Sequence, residues 1–187
     1  MADFAQNGIG GFTHRWLNYF FTLAQAAGDI SKDPSTKVGA VIVKDKYVLG
    51  TGFNGFPCGV HDDQKEYSHR YERPIKYDYT AHAEANALMQ CCLHGSSTKD
   101  ATIFVTHQPC IECTKLLIQA GIKQIFFNNY TLPPKEGYDP ADWRSKLLLA
   151  ESMCSEAGVI FYGFDKQPNL VNSNANLVLL QLSRSLS

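Results

Sequence analysis

The sequence predicts an α/β fold: a three-layer α/β/α sandwich around a mixed five-stranded sheet. Three observations lead to this fold class. Short apolar runs of β type alternate with longer segments of helical period, an order that places helices on both faces of a sheet. A short polar turn joins the first two strands into a hairpin, so that pair is antiparallel. The 187 residues suffice for one domain with a substantial core but are few for two.

The first helix follows a Gly-rich, weakly patterned segment, residues 1–12, which we expect to be a flexible arm. Apolar residues then recur at three- and four-residue spacing from Thr13, which can cap the helix, to about Gly28, which should end it. After a turn, the strands Val38–Val43 and Tyr47–Phe53 are predicted as the hairpin.

The second half of the chain continues the alternation of helices and strands. Before it lie residues 60–79, a long polar and aromatic segment without clear period, which is typical of functional or disordered loops. The predicted elements are then a helix Ala81–Leu93, a strand Ala101–Val105, a helix Cys110–Ala120 with Leu116, Leu117 and Ala120 as its apolar face, a strand Gln124–Phe127, a helix Ala141–Ala157 and a strand Val159–Phe164. One domain therefore spans residues 13–165, and residues 166–187 form a C-terminal tail.

Composition and charge argue against several classes of function. Lys and Arg number 17 and Asp and Glu 18, for a net charge of −1, which disfavours a nucleic-acid-binding surface and favours a small substrate. No run approaches the roughly 18 apolar residues of a membrane span, and we expect no secretion signal. Six cysteines in such a chain indicate reduced thiols and metal ligands, and hence a cytoplasmic protein.

The strongest chemical signal is the segment Pro109–Cys113 together with His82-Ala83-Glu84. Cys110 and Cys113 open a predicted helix, where backbone N–H groups and the helix dipole favour thiolates, and His82 adds an imidazole. Such a ligand set suits Zn²⁺, and three protein ligands leave one coordination position open, as in catalytic zinc sites. Glu84 follows His82 closely and can move protons during catalysis.

A structural zinc site is the alternative interpretation of the same motif. Any of six other side chains can supply a fourth ligand and close the site: Cys58, Cys91, Cys92, His94, His107 or Cys154. A structural site has no use for the carboxylate of Glu84, however, so the catalytic interpretation is favoured.

Over about residues 13–164, the chain resembles the deoxycytidylate deaminases of the cytidine deaminase superfamily. The residues that carry the resemblance are DPSTKVGAVIV (Asp33–Val43), GFNGFPCG (Gly52–Gly59), YTAHAEANAL (Tyr79–Leu88), PCIEC (Pro109–Cys113) and QAGIK (Gln119–Lys123). The resemblance implies zinc-dependent hydrolysis of dCMP to dUMP and ammonia, a step that feeds thymidylate synthesis. It makes His82, Cys110 and Cys113 the zinc ligands and Glu84 the proton shuttle.

The resemblance also implies substrate and effector contacts. It places Asn54 against the sugar and phosphate of the substrate, and backbone groups next to Ala83 and Gln108 at the pyrimidine edge. It further implies a homo-oligomer, with a hexamer favoured, that dCTP activates and dTTP inhibits. The effector nucleotide would lie near a loop that contains Asn54, Gly55, Phe56 and Gly59, in which Phe53 stands where Tyr is usual.

Two further sets of residues are candidates for binding. Lys37, Arg70, Arg73 and Lys76 can contact phosphate, although cations on a polar segment are more often simply solvated. Cys58, His61 and His69 are candidates for a second zinc, although no paired-ligand spacing occurs there.

The residues leave other functions open. The same zinc chemistry can act on dCTP, a modified dCMP, cytidine or adenosine in tRNA, of which the tRNA substrate is disfavoured by the charge balance. A zinc-stabilised binding module without catalysis is a different class, and it predicts tight metal binding without turnover.

Overall fold

A computed structural model describes residues 9–128 and 142–164 of the chain. Five strands and five α-helices alternate over this part, with a short 3₁₀ helix between β2 and α2. In chain order the elements are α1 (His14–Asp29), β1 (Gly39–Lys44), β2 (Tyr47–Phe53), the 3₁₀ helix (Ser68–Tyr71), α2 (Lys76–Tyr79), α3 (Ala83–Leu93), β3 (Thr102–Val105), α4 (Ile111–Gln119), β4 (Gln124–Phe127), α5 (Trp143–Glu156) and β5 (Ile160–Gly163).

The five strands form one mixed sheet in the order β2-β1-β3-β4-β5. β1 pairs antiparallel with β2 and with β3, whereas β3, β4 and β5 run parallel. Residue Ala40 pairs with Gly52 on one side and with Val105 on the other. The C-terminal ends of β2 and β3 therefore lie at the same edge of the sheet.

Helices cover both faces of the sheet, which confirms the predicted three-layer sandwich. On one face, α1 packs Leu17 and Phe20 against Val41 and Phe104. On the other face, α3, α4 and α5 pack on the alternate strand residues; the buried members of that core include Ala40, Ile42, Ala87, Cys91, Ile103, Leu117, Ile125 and Cys154. Alternate residues of β1 thus belong to different cores, as the side-chain period of a strand requires.

The first helix differs from its prediction at both ends. Thr13 occupies the N-cap position but its hydroxyl makes no capping hydrogen bond, so the predicted side-chain cap is wrong. Gly28 does not end the helix, which continues to Asp29. Gly28 instead faces Gly39 of β1, where an added Cβ would lie 2.9 Å from the Gly39 nitrogen. This glycine is needed for close approach of the helix to the sheet and not for termination.

The helices that carry the metal motifs begin later than predicted. α3 starts at Ala83 and α4 at Ile111, so His82 and Cys110 are N-cap residues and lie just outside the helices. The predicted apolar face of α4 is correct for Leu117, which is fully buried, but wrong for Leu116, which is 48% exposed. The strands Tyr47–Phe53 and Gln124–Phe127 have the predicted bounds.

The terminal segments lie mostly outside the described residues. Residues 1–8 of the predicted arm and the tail 166–187 are not among them. The last residues of the predicted arm are packed, because Ile9 and Phe12 are buried in the core under α1 and pair with each other through their backbones. Within the described part of the chain, no helix is long and apolar enough to cross a membrane.

Residues 60–79 are held together by aromatic contacts and a few hydrogen bonds. The guanidinium of Arg70 lies over the rings of Tyr67 and Tyr79, at 4.4 and 4.9 Å from their centroids. The Tyr71 hydroxyl donates to the carbonyl of Asp62 at 2.7 Å. These contacts hold the segment that precedes α3 in place, although its only regular elements are the 3₁₀ helix and α2.

We expect Gly52→Ala to lower the free energy of unfolding by about 1–3 kcal/mol, as overpacking does in a close-packed interior. Gly52 lies on β2 beneath α3, and an added Cβ would overlap the Ala83 carbonyl oxygen and the Ala87 nitrogen. The matched control is Gly55→Ala, whose Cβ would meet only the Phe53 ring, at 3.5 Å or more. Urea unfolding of both variants is the measurement, and equal stabilities would contradict this account of Gly52.

Candidate functional site

Three ligand side chains converge at the edge of the sheet where β2 and β3 end. His82 is the N-cap residue of α3, Cys110 the N-cap residue of α4, and Cys113 lies in the first turn of α4. The Nδ1 atom of His82 lies 3.4 Å from the sulfur of Cys110 and 3.4 Å from the sulfur of Cys113. The three donor atoms all lie within 4.8 Å of one another.

This donor set fits Zn²⁺. Two sulfurs and one imidazole nitrogen are ligands that zinc prefers, and their number is that of catalytic sites, which keep one position for water or substrate. Among the described residues, His82, Cys110 and Cys113 are the only group of three or more candidate side chains close enough to hold a metal. None of the six proposed fourth ligands belongs to it, so the closed structural site is not formed.

The residues proposed for a second zinc do not converge in the described structure. Cys58 is exposed, and the ring of His61 stacks on Tyr67 at 5.2 Å. The ring of His69 is tilted against the same tyrosine, with its centroid at 6.5 Å. The described residues therefore provide one metal centre and no second group of this kind.

The environment of the two thiols favours ionisation at one of them. The neighbouring Cys113 thiol and the His82 imidazole lower the pKa of Cys110 to about 4. The hydrogen bond between the two thiols has the opposite effect on Cys113: together with burial, it raises the pKa of Cys113. The backbone N–H of Cys113 also donates to the Cys110 sulfur, at 3.5 Å. Cys110 is thus the more acidic of the two thiols, and the thiolate is the form that binds a metal.

Glu84 is a buried carboxyl beside the candidate ligands. It lies in the first turn of α3, is 4% exposed, and faces the same cavity as His82. Burial raises its pKa, because the charged form loses its hydration. A raised pKa makes the carboxylate a stronger base, which suits a group that must accept a proton and then release it in catalysis.

A cavity of about 270 Å³ adjoins the metal centre. Every predicted catalytic and substrate residue lines it, and the structure brings together Asn54, His82, Ala83, Glu84, Gln108 and Cys110 around it. Cys113, the remaining ligand, is buried behind them. The volume is near the lower end of the range for small-molecule sites, so the cavity suits a compact ligand.

The candidate phosphate-binding cations separate into two pairs. Arg73 and Lys76 line the cavity, whereas Lys37 and Arg70 do not. Lys37 donates to the carbonyl of Asp29, and Arg70 is held between two tyrosines. Only the first pair is placed to meet a ligand at this site.

A hydrogen-bonded network fixes the side chain of Asn54. Its Oδ1 accepts from the Val38 backbone N–H at 2.8 Å, and its Nδ2 donates to the Thr36 carbonyl at 2.9 Å. Nδ2 also lies 3.5 Å from a carboxylate oxygen of Asp33. The amide is therefore held in one orientation before any ligand arrives.

Asp33 and Lys76 form a buried ion pair beside Asn54. Their charged atoms lie 2.9 Å apart, and each side chain is only 7% exposed. Burial opposes ionisation of Asp33, but hydrogen bonds from Lys76 and from the Ser35 and Thr36 N–H groups outweigh it and keep the Asp33 pKa below its ordinary value. Because the pair is neutral overall, it can support the cavity wall without a net buried charge.

Sequence reasoning missed several residues of the cavity wall. Asp33, Thr36, Val38, Tyr77 and Thr80 line it without having been predicted as site residues, and so does His107, which was considered only as a fourth zinc ligand. Asp33 and Thr36 lie in the segment Asp33–Val43, which carries part of the resemblance given above, and that segment is the signal in the sequence that could have identified them. His107 lies two positions before Pro109, and its Nδ1 lies 3.1 Å from the Thr106 hydroxyl.

The predicted effector loop adjoins the cavity but lines it only through Asn54. Gly55 and Ala81 exchange two backbone hydrogen bonds, at 3.1 and 2.8 Å. The Phe56 ring stacks on Tyr71 at 4.7 Å, and Gly59 has a positive φ of 82°. The loop is thus joined to the residue that directly precedes His82.

Comparisons with known proteins agree with this geometry. A family model described as the cytidine and deoxycytidylate deaminase zinc-binding region matches residues 14–129, which include all three candidate ligands. The deoxycytidylate deaminase of Homo sapiens is 40% identical over 152 residues, covering 80% of this chain and 79% of the relative. An uncharacterized deaminase from the luxG 3′ region of Aliivibrio fischeri is 38% identical over 146 residues, covering 78% of this chain and 90% of the relative.

A solved structure is also similar over nearly its whole length. It is the dCMP deaminase from the cyanophage S-TIM5 in complex with dCMP and dUMP. Its TM-score is 0.64 at 25% sequence identity, and the match covers 81% of this chain and 98% of that chain. The two chains therefore share the same overall fold.

We expect Cys110→Ala to reduce bound zinc from about one ion per chain to nearly none and to destabilise the fold, because the metal joins α3 to α4. Metal analysis of the purified protein and a thermal unfolding scan measure both effects. Cys92→Ala is the matched control, since Cys92 is exposed and outside the metal group. Zinc retained at the wild-type level in the Cys110 variant would exclude this ligand set.

Proposed function

The chain belongs to the cytidine and deoxycytidylate deaminase zinc-binding family, and we propose on that basis that it hydrolyses dCMP to dUMP and ammonia. The observation that carries the proposal is a three-ligand zinc centre with a buried carboxyl, Glu84, on the wall of one small cavity. The similar human protein is named a deoxycytidylate deaminase, and the similar cyanophage protein has dCMP and dUMP bound. A non-catalytic zinc module would have no need for Glu84 in this position.

Glu84 carries the proton transfers in this proposal. When bound, zinc supplies the Lewis acidity that makes water nucleophilic near neutral pH. Glu84 accepts a proton from the attacking water and delivers it to N3 of the cytosine ring. It then takes the proton of the new C4 hydroxyl and passes it to the amino group, which leaves C4 as ammonia while the C4 carbonyl forms, so that one carboxyl acts as base and then as acid.

The walls of the cavity orient the nucleoside. Backbone N–H groups at the start of α3, next to Ala83, lack a helical partner and can donate to the pyrimidine edge, opposite groups next to Gln108. Asn54 holds the sugar: its Oδ1 already accepts from the Val38 N–H and retains a second lone pair that can accept from a hydroxyl. Because the network around Asn54 is already formed, little ordering is required on binding.

Arg73 and Lys76 provide the positive charge for the phosphate. Lys76 is neutralised by Asp33, whereas none of the described carboxylates pairs with Arg73. Arg73 is therefore the cation with charge to offer a monophosphate, and Lys76 can add hydrogen bonds. This arrangement favours dCMP over the uncharged nucleoside.

Regulation by dCTP and dTTP is proposed at the loop formed by Asn54, Gly55, Phe56 and Gly59. The backbone bridge between Gly55 and Ala81 supports it, because a nucleotide that moves this loop also moves the residue before His82.

We further propose a cytoplasmic homo-oligomer, with a hexamer favoured. The free state of all six cysteines suits a reducing compartment. Analytical ultracentrifugation of the zinc-loaded protein measures the subunit count.

We expect Glu84→Gln to lower kcat for dCMP by about 10²–10⁴-fold while zinc content stays at the wild-type level. The amide keeps the shape of the side chain but cannot shuttle protons. Glu66→Gln, at an exposed position outside the cavity, is the control and should leave kcat unchanged. If Glu84→Gln retained full activity, Glu84 could not be the proton shuttle.

Ammonia release by the zinc-loaded protein tests the substrate. We offer dCMP, CMP, dCTP and deoxycytidine separately, each with and without added dCTP and dTTP. We expect turnover of dCMP, raised by dCTP and lowered by dTTP. Arg73→Ala should reduce the preference for dCMP over deoxycytidine by about tenfold.

The control for the phosphate contact is Arg144→Ala, which removes an exposed cation of α5 that does not line the cavity. Turnover of dCMP without a response to either triphosphate would keep the enzyme and remove the effector site. A preference for dCTP, CMP or deoxycytidine would assign a different substrate, and the absence of turnover with all four compounds would count against deamination of cytosine nucleotides.

A further inference from the structure

A second carboxyl, Glu151, is buried behind the wall of the cavity. It lies on α5, is 8% exposed, and accepts a hydrogen bond from Nε2 of Gln108 at 3.2 Å. The two residues are 43 positions apart in the chain. Neither the zinc centre nor the proton transfers assigned to Glu84 use Glu151.

The surroundings of Glu151 offer no opposite charge within the described structure. The helix α4, which packs against α5, carries Glu112 and Lys115, but these are exposed and pair with each other at 2.6 Å. On α5 itself the neighbouring titratable group is Cys154, whose pKa Glu151 helps to raise. The strand β5 contributes Tyr162 as its titratable side chain. Burying a carboxylate without a cation is unfavourable, so the hydrogen bond from Gln108 is an important part of what stabilises Glu151 in this position.

Gln108 connects Glu151 to the cavity. It lines the cavity together with His82 and Glu84, and Cys110 follows it by two positions. A glutamine amide has a donor end and an acceptor end, and it can present either one to a ligand. Which end faces the cavity therefore decides what Gln108 recognises.

We propose that Glu151 is a positioning residue that fixes the side-chain amide of Gln108 for substrate binding. An ionised carboxylate can only accept hydrogen bonds, so it selects the Nε2 end of the amide and sets the orientation of the Oε1 end. The inference rests on the proposed deaminase function, since it assigns Gln108 to the binding of that substrate. Glu151 itself does not touch the substrate.

The contact with Gln108 should also affect the pKa of Glu151, which can be measured without turnover. Burial raises the pKa of Glu151 to about 7, and the hydrogen bond from Gln108 opposes that rise. Loss of the amide donor therefore raises the Glu151 pKa further. Protonated Glu151 can donate as well as accept, and it no longer selects one orientation of the amide.

A double-mutant cycle tests the coupling. We expect Gln108→Ala to lower kcat/KM for dCMP by about tenfold, mainly through KM, and Glu151→Leu to lower it by a similar or smaller factor. The double variant should be no worse than Gln108→Ala, because Glu151 acts through Gln108. Losses that multiply in the double variant, or wild-type kinetics in Glu151→Leu, would overturn the proposal.

Two further variants guard against misfolding and general effects of the helix. Glu151→Gln keeps the size of the side chain, and its amide can both donate and accept, so we expect an intermediate loss of kcat/KM that also disappears in the Gln108→Ala background. Glu156→Gln, at an exposed position on the same helix, is the matched control and should match the wild type.

Carbon-13 NMR of the glutamate carboxyls in the zinc-loaded protein provides the readout without turnover. The Glu151 signal is assigned by its absence in Glu151→Gln. We expect its titration midpoint to move upward in Gln108→Ala, and an unchanged midpoint would overturn the contact. If the wild-type protein deaminates none of the four compounds, the proposed function fails, whereas the NMR titration still decides whether Gln108 and Glu151 are coupled.

Discussion

The meeting of two helix N-termini at one edge of the sheet is the constraint on which the site depends. Because Ala40 pairs with both Gly52 and Val105, β2 and β3 end at the same edge of the sheet, on either side of β1. The chain then enters α3 at His82 and α4 at Cys110. A register shift of one residue would move alternate side chains to the other face of the sheet. The separate burial of Val41 and Ile42 in the two cores opposes such a shift.

Small residues allow α3 to lie close enough to the sheet for this geometry. Its inner face presents Ala83, Ala87 and Cys91, all fully buried. Opposite them on β2, Gly50 has no room for a Cβ, which would lie 2.7 Å from the Cys91 sulfur. The backbones of helix and strand therefore meet almost directly. Close packing of this kind leaves the helix little freedom, so the positions of His82 and Glu84 are fixed by the backbone.

Local patterns in the sequence were sufficient for the sheet and for the group of side chains positioned to bind a metal. The β-type run of Gln124–Phe127 predicts its strand with the observed bounds, and the Pro109–Cys113 motif contains two of the three candidate ligands. The contacts that fix the cavity wall could not be predicted in this way. Asp33 and Lys76 are 43 positions apart, and so are Gln108 and Glu151. Such pairs depend on how strands and helices are arranged in space, which spacing along the chain does not encode.

The prediction that Gly28 ends α1 was wrong for the same reason: the residue is determined by a contact in space and not by the local sequence pattern. A glycine at the end of an apolar helical pattern predicts a C-cap, because glycine adopts the left-handed conformation easily. Here the approach of α1 to Gly39 determines the residue, and the helix continues past it. Gly28 is thus required by a tertiary contact with the sheet and not by the local geometry of a helix end.

The charges around the cavity are consistent with one another and with a phosphorylated ligand. A zinc ion bound by two thiolates and one imidazole is formally neutral. Lys76 is neutralised by Asp33, and burial favours the protonated form of Glu84. Within the described residues, Arg73 is then the cation on the wall without a paired carboxylate. A phosphate can supply the missing negative charge, and because the remaining wall is nearly neutral, a single phosphate suffices to balance it.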